Sequence, residues 1–343
     1  MPKIKDTGPL GLRDVNVAFG YPPAKVQDLD GFDFRDLVGK PTTGTQIALS
    51  EAYGKTPDIK IKIGQAHSTL YNVNLREYAE NNRPGLFDAG EPTDITFTFN
   101  VFGNIGSRTN DQFAVRTGTW NETVRLVLNL NPVRRADGEL MDVNIDGETK
   151  VVKKMKDYID PVTKKWVYKN VYGPKNPKSF GRFVNMDTYN PPNGIIAGKG
   201  TDGNQSGCCY QRWVTTYVKS GGGAILLEHD LKINNEGIIG SGGCGGHGIT
   251  MNRDNPTMGG AGGGAGIPAG KGRSGAYNWS NGSILQGGAS VGVASGDLGM
   301  GNGYRRTRPA ILTQGHTLTY IEEGIIRGDV LATMPSDINY GED

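Results

Sequence analysis

Few residues in this sequence have the spacing to do chemistry, and most fail on inspection of their neighbours. Gly240-Ser241-Gly242-Gly243-Cys244-Gly245 has the form G-x-G-x-x-G after the strand-like Ile238-Ile239. Such a turn serves a dinucleotide when a helix follows and turns its amino end to the pyrophosphate. Here His247-Gly248-Ile249-Thr250 and then more glycine follow, so the pattern is compositional. Ala269-Gly270-Lys271-Gly272 has part of a phosphate loop, but Ala265 stands at the required leading glycine and Gly272 at the Ser/Thr position. Cys244 and His247 form one half of a metal pair. A zinc site needs four ligands, so no metal is expected. Cys208, Cys209 and Cys244 read as small buried hydrophobes or as inter-subunit disulfide partners. His67, His229 and His316 have no Ser or Cys partner in a recognisable arrangement. No carboxylate pair stands out by spacing, although folding can assemble one. The sequence therefore supports no enzyme, no catalytic residue and no cofactor.

What remains is a set of large side chains that interrupt a run of glycine. Asn252, Arg253 and Met258 lie in one interruption, and Tyr277 and Trp279 in the next. Tyr277 and Trp279 suit carbohydrate stacking or a protein anchor, or else fill gaps between layers. Arg305 and Arg306 suit acidic sugars or phosphate.

The element that must position these residues is the glycine itself. From Gly221 to Gly303 there are 27 glycines in 83 residues. Ordering each costs roughly 0.5–1 kcal/mol more than alanine would, so either the stretch is disordered or backbones approach where no Cβ fits. Repeated apolar hooks favour order. They are Asn193-Gly194-Ile195-Ile196, Asn235-Glu236-Gly237-Ile238-Ile239, Asn281-Gly282-Ser283-Ile284-Leu285 and Glu323-Gly324-Ile325-Ile326. The steps between Ile195, Ile238, Ile284 and Ile325 are 43, 46 and 41 residues. Ala224-Ile225-Leu226 and Ala310-Ile311-Leu312 precede the second and fourth hooks at nearly the same distance. Such a period means stacked units that bury a core only against their neighbours. The fold class is mainly β: a small mixed amino-terminal module, then a glycine-rich repeat block in polyglycine-II-like or solenoid-like layers. The collagen period is absent.

Residues 1–56 hold three short helical turns closed by glycine, ending at Gly20, Gly39 and Gly54. They are too short to stand alone and should dock on a larger partner. Residues 57–132 form a small β-rich module with one short helix. Ile59-Lys60-Ile61-Lys62-Ile63, Asp94–Phe102 and Val124–Leu130 alternate as strands. Asn74-Leu75-Arg76-Glu77 has capping-box form and opens the helix. Residues 133–192 are a basic hairpin insert, with 12 Lys/Arg against 7 Asp/Glu from Val133 to Arg182. Its lysines read mainly as guards of a solvated edge. Residues 193–343 are the repeat domain with its four hooks. The net charge of +2 implies no nucleic-acid partner. No apolar run near 18 residues implies membrane insertion, and Met1–Asp6 lacks the apolar region of a signal peptide.

Thr7-Gly8-Pro9-Leu10-Gly11-Leu12-Arg13-Asp14-Val15 with Phe19-Gly20, then Ile47–Lys55, resembles the amino-terminal signature of virion proteins of tailed bacteriophages. Ala52-Tyr53 stands where a pair of aromatics is usual. The short helix, the strands, Thr117-Gly118-Thr119-Trp120 and the glycine-rich hooks resemble phage glycine-rich tail-fibre and adhesin proteins. The resemblance implies a virion protein made in the host cytoplasm, attached through Leu10, Leu12, Val15, Phe19, Leu49 and Tyr53. It implies phage tail or capsid proteins as partners, and host-surface carbohydrate or an outer-membrane protein as receptor. A homo-oligomer, with a trimer favoured, is expected. Two roles stay open: a fibre or fibre-tip component for host recognition, and a head fibre, capsid decoration or collar piece without receptor binding. A polysaccharide depolymerase is a weaker third.

Overall fold

The protein is described by a computed structural model over residues 4, 7–21, 32–39, 46, 48–65, 68–88, 90–130, 151–159, 166–172, 194–203, 220–246, 261–273, 281–288, 295–301 and 307–336, by backbone alone at 32, 33, 36, 151–159 and 166–172. Its frame is a three-sided parallel solenoid. The first turn is β1 (Asp58–Ile63), β2 (Thr69–Tyr71) and β3 (Val73–Asn74). The second is β4 (Thr96–Val101), β5 (Asn104–Gly106) and β6 (Phe113–Arg116). The third opens with β7 (Arg125–Leu130), is interrupted by the antiparallel hairpin β8 (Val151–Ile159) and β9 (Trp166–Tyr172), and resumes with β10 (Ile195–Ala197) and β11 (Gly223–Leu226). The fourth is β12 (Leu231–Asn235), β13 (Ile238–Gly240) and β14 (Ile311–Leu312). The fifth is β15 (Leu318–Glu322), β16 (Ile325–Arg327) and β17 (Val330–Leu331).

Three five-stranded parallel sheets result. Sheet A is β1-β4-β7-β12-β15, sheet B is β2-β5-β10-β13-β16 and sheet C is β3-β6-β11-β14-β17. Strands from residues 57–132 and from the glycine-rich block thus share all three sheets. The alternation read in the sequence decides which side chains turn inward. Ile59, Phe97, Leu126, Leu231 and Leu318 fall on one inward column of sheet A, and Ile61, Phe99, Leu128, Ile233 and Tyr320 on the next. The columns are closed to solvent in the first four turns and only partly buried in the fifth.

At the corner between sheets C and A, Trp120 lies 4.8 Å from Phe97, centroid to centroid, and its Nε1 donates to the Thr117 carbonyl at 2.7 Å. Helix α3 (Leu75–Asn82), preceded by α1 (Leu12–Ala18) and α2 (Phe32–Leu37), starts where the sequence requires. The Asn74 side chain accepts from the Arg76 and Glu77 backbone N–H groups. Arg76 then stacks 4.6 Å from the Phe87 ring and 5.2 Å from Trp120, and it pairs with Glu80 and Glu91. The Glu91 hydrogen bond, partly opposed by burial, pushes the Arg76 guanidinium further up.

The amino-terminal turns dock on this same chain. Ile4, Val15, Ala18, Phe19, Phe34 and Ala52 join the solenoid core, and Leu10 and Leu49 pack against it. The Tyr53 hydroxyl donates to the Gly8 carbonyl. Leu12 and Val17 alone among the apolar residues of α1 turn outward, at 37% and 46% exposure.

Candidate functional site

The glycine-rich residues occupy one corner of the solenoid. In the first turn the link from sheet B to sheet C is Asn72 alone, and in the second it is 107–112. In the third and fourth turns the same link swells to 198–222 and 241–310. The described parts of these two excursions pack on the outer face of sheet B. Both faces of its middle strands β5, β10 and β13 are therefore buried, which calls for two apolar residues in succession rather than one in alternation. Ile196 and Ile239 join the solenoid core, with Ile105 beside them. Ile195, Ala197 and Ile238 face the other way, into a second core with Ala265, Ile267, Leu285 and Leu298.

Within the layer the chain runs out and back in short extended passes. Residues 261–266 form the central pass and exchange backbone hydrogen bonds with six others. Gly264 N–H donates to the Thr201 carbonyl and Ala265 N–H to Gly296. Gly266 N–H donates to Ser283. In return, Gly243, Gly270 and Gly288 N–H donate to Ala265, Gly264 and Gly263. A sheet strand has two bonded neighbours. An extended helix with three residues per turn sends bonds out all round, as here. Each pass must then touch its neighbours backbone to backbone. A Cβ placed on Gly221 would lie 1.8 Å from the Gly242 carbonyl oxygen, and one on Gly242 would lie 2.0 Å from that of Lys199. The glycine is a packing requirement.

The passes end together at one side of the layer. Gly203 N–H donates to the Lys271 carbonyl, and Gly246 N–H to Gly262. Ala261 and Arg273 bond to each other in both directions, at 3.2 and 2.8 Å. Two side chains close the group: Asp202 Oδ1 accepts from Lys271 N–H at 2.8 Å and Asn281 Oδ1 from Gly272 N–H at 2.7 Å. From these mutually bonded residues the segments 204–219, 247–260 and 274–280 depart. Asn252, Arg253, Met258, Tyr277 and Trp279 belong to the latter two segments and lie outside the described residues, as do Arg305 and Arg306. The segment carrying Arg305 and Arg306 leaves elsewhere. Its flank Thr307 bonds Gly299 and Ser241, close to sheet B. The roles of Asp202 and Asn281 were not read in the sequence, although each stands in an Asx-Gly pair beside a pass, where a side chain can close a turn.

The inner part of the layer, 241–246 and 261–266, is buried. Cys244 is buried. Cys208 and Cys209 lie outside the described residues. Asp297 accepts from Gly287 N–H at 2.7 Å, and burial pushes its carboxyl above the ordinary value, opposed by that bond and by the charge of Arg327. Among the described residues no cluster of His, Cys, Asp and Glu could hold a metal ion. No helix among them is long and apolar enough to cross a membrane.

Known proteins bear on this architecture. Among curated proteins, none matches the chain. Among solved structures, the crystal structure of the gp37-gp38 adhesin tip complex of the bacteriophage S16 long tail fibre is similar at 14% identity and a TM-score of 0.43, over 87% of this chain and 91% of that one. The family model of the phage tail fibre adhesin Gp38 matches residues 180–331, which takes in three hooks of sheet B and the whole described glycine layer. Over those residues, a little under half its length, the chain is similar to that family.

Proposed function

We propose that the protein is the host-recognition tip of a bacteriophage tail fibre and acts by binding, without catalysis. The observation that carries this reading is the bonded group of pass ends at one side of the glycine layer. Gly203, Gly246, Ala261, Arg273 and Asn281 fix the bases of three segments against one another. A variable binding surface gains affinity when its anchors are rigid, because less freedom is lost on binding. Tyr277 and Trp279 are the proposed anchors on the receptor, with Asn252, Arg253 and Met258 beside them. Arg305 and Arg306 are proposed for an adjoining acidic contact. The receptor is a host-surface carbohydrate or outer-membrane protein. At the other end, the amino-terminal turns attach the chain to another tail protein of the virion, with Leu12 and Val17 as the exposed contacts.

The test is adsorption. Phage carrying Tyr277→Ala and Trp279→Ala together should bind host cells poorly, while the purified variant melts at the wild-type temperature. Immunolabel against residues 221–303 should decorate fibre ends. Label on the head or neck, or normal adsorption by the double variant, would overturn the reading in favour of a structural decoration.

A further inference from the structure

Among the described residues, the outer face of sheet A carries no apolar layer of the kind that covers the middle strands of sheet B. Its strands are parallel, in register apart from one shift between β12 and β15, so outward side chains stand in columns along the solenoid axis, one per strand at about 4.8 Å. One column runs Lys62, Asn100, Asn129, Asn234 and ends on Glu322. The Asn129 Nδ2 donates to Asn100 Oδ1 at 3.0 Å, so the amides are already aligned as a ladder. Lys62 heads it, with its Nζ 4.8 Å from the Phe102 ring centroid. The adjacent column runs Lys60, Thr98, Val127, Lys232, Thr319. Arg125 stands exposed in a third column, with Asp58 and Thr96, next to the Lys60 column. Against these four cations the face sets Asp58, which accepts from Thr98 Oγ1 at 2.6 Å, and Glu322 at its far corner.

We infer that this face binds a linear acidic polysaccharide laid along the solenoid axis. A ladder that offers an amide or hydroxyl on β4, β7, β12 and β15 favours a ligand that repeats, because each further repeat adds a contact at no new cost of association. The surplus of lysine and arginine calls for carboxylate or phosphate on that ligand. The columns offer no aromatic ring, so they give no platform for nucleic-acid bases. Val127 is their one aliphatic member, and the exposed Ile321 stands apart on the edge strand β15, so the columns have no apolar centre for a protein interface. The inference rests on the host-surface reading only for where such a polymer would be met. It differs in place from the tip, since sheet A is a side of the solenoid that the glycine layer leaves open.

The experiment uses the full chain and polygalacturonate, with dextran as the neutral control. Binding by biolayer interferometry should be seen with polygalacturonate, weaken as salt rises, and be absent with dextran. Lys62→Glu with Lys232→Glu should weaken it by roughly tenfold or more at low salt, and the milder Lys62→Gln with Lys232→Gln by a smaller factor. Both lysines are solvent-facing, so melting temperatures should stay at the wild-type value. Tyr277→Ala with Trp279→Ala should leave polygalacturonate binding unchanged even where it abolishes adsorption, which separates the two sites. No binding to polygalacturonate, equal binding to dextran, or undiminished binding by both lysine pairs would overturn the inference.

Discussion

Ile195 and Ile196 are consecutive in the chain and belong to different hydrophobic cores. Ile196 stacks on Ile105 and Ile239 inside the solenoid, whereas Ile195 stacks on Ile238 beneath the glycine layer. The pair couples two parts of the molecule that have little chemistry in common: a column of aliphatic and aromatic side chains, and a lattice of nearly bare backbone. Without Ile195, Ile238 and their partners Ala265, Ile267, Leu285 and Leu298, the lattice would have hydrogen bonds to hold its passes together and little to hold it to the sheet.

That relationship predicts a division between two neighbouring substitutions. Ile238→Ala and Ile239→Ala each remove a fully buried side chain and should each cost about 2–5 kcal/mol. Ile238→Ala should raise hydrogen exchange at Gly243, Gly264 and Ala265 while Ile233 and Leu128 stay protected. Ile239→Ala should raise exchange across the solenoid strands as well. Equal exchange patterns from the two variants would mean that the cores are one.

The lattice makes a sharper prediction about a single methyl group. In Gly242→Ala the new carbon meets the Lys199 carbonyl, which is backbone and cannot swing aside. The passes must part, at a cost of about 3 kcal/mol or more, and protease cleavage between 198 and 246 should rise. Gly11→Ala is the contrast. Its nearest heavy atom would be Asp14 Oδ2 at 3.8 Å, and its melting temperature should stay close to wild type.

How far the sequence revealed this depends on which physical signal each part carries. Ile195, Ile238 and Ile325 were read as equivalents and are register partners in sheet B, and Ile225 and Ile311 pair likewise in sheet C. A period survives in sequence when the same pocket recurs in space. Ile284 has the same local form but sits outside the sheets, partly buried against the second core. In a glycine-rich block an Asn-Gly turn before two aliphatics serves the lattice as well as the sheet. Leu70 and Ile105 also belong to the sheet B column, yet they were not read as hooks. Their strands are too short for alternation to show. The six-neighbour lattice left only composition as a trace, since backbone bonds between passes demand the absence of a side chain and specify no register.

The exposed residues of α1 predict a separation of folding from assembly. Val15 is buried in the solenoid core, so Val15→Ala should destabilise the protein itself. Leu12→Glu with Val17→Glu places charge on the solvent side and should leave the melting temperature unchanged. The same double variant should fail to enter virions, measured by immunoblot of purified particles. Normal incorporation would place the attachment surface elsewhere.

Asp297 gives the layer a dependence on pH whose sign follows from burial. The carboxyl sits above its ordinary value chiefly because it is desolvated, despite the Gly287 N–H bond and the charge of Arg327. A carboxyl raised on folding adds stability below its unfolded value, about 3.9, and that contribution is lost as pH rises through the folded value. At neutral pH the ionised group is therefore a net cost at its site. Asp297→Asn keeps an oxygen to accept from Gly287 and removes the charge. The variant should be at least as stable as wild type at pH 7, and its advantage should shrink as pH falls toward about 4. Thermal melts across this range check both statements. If the variant is less stable than wild type at pH 7 and the two converge only in acid, the attraction of Arg327 outweighs desolvation, and the carboxylate holds the layer together by its charge.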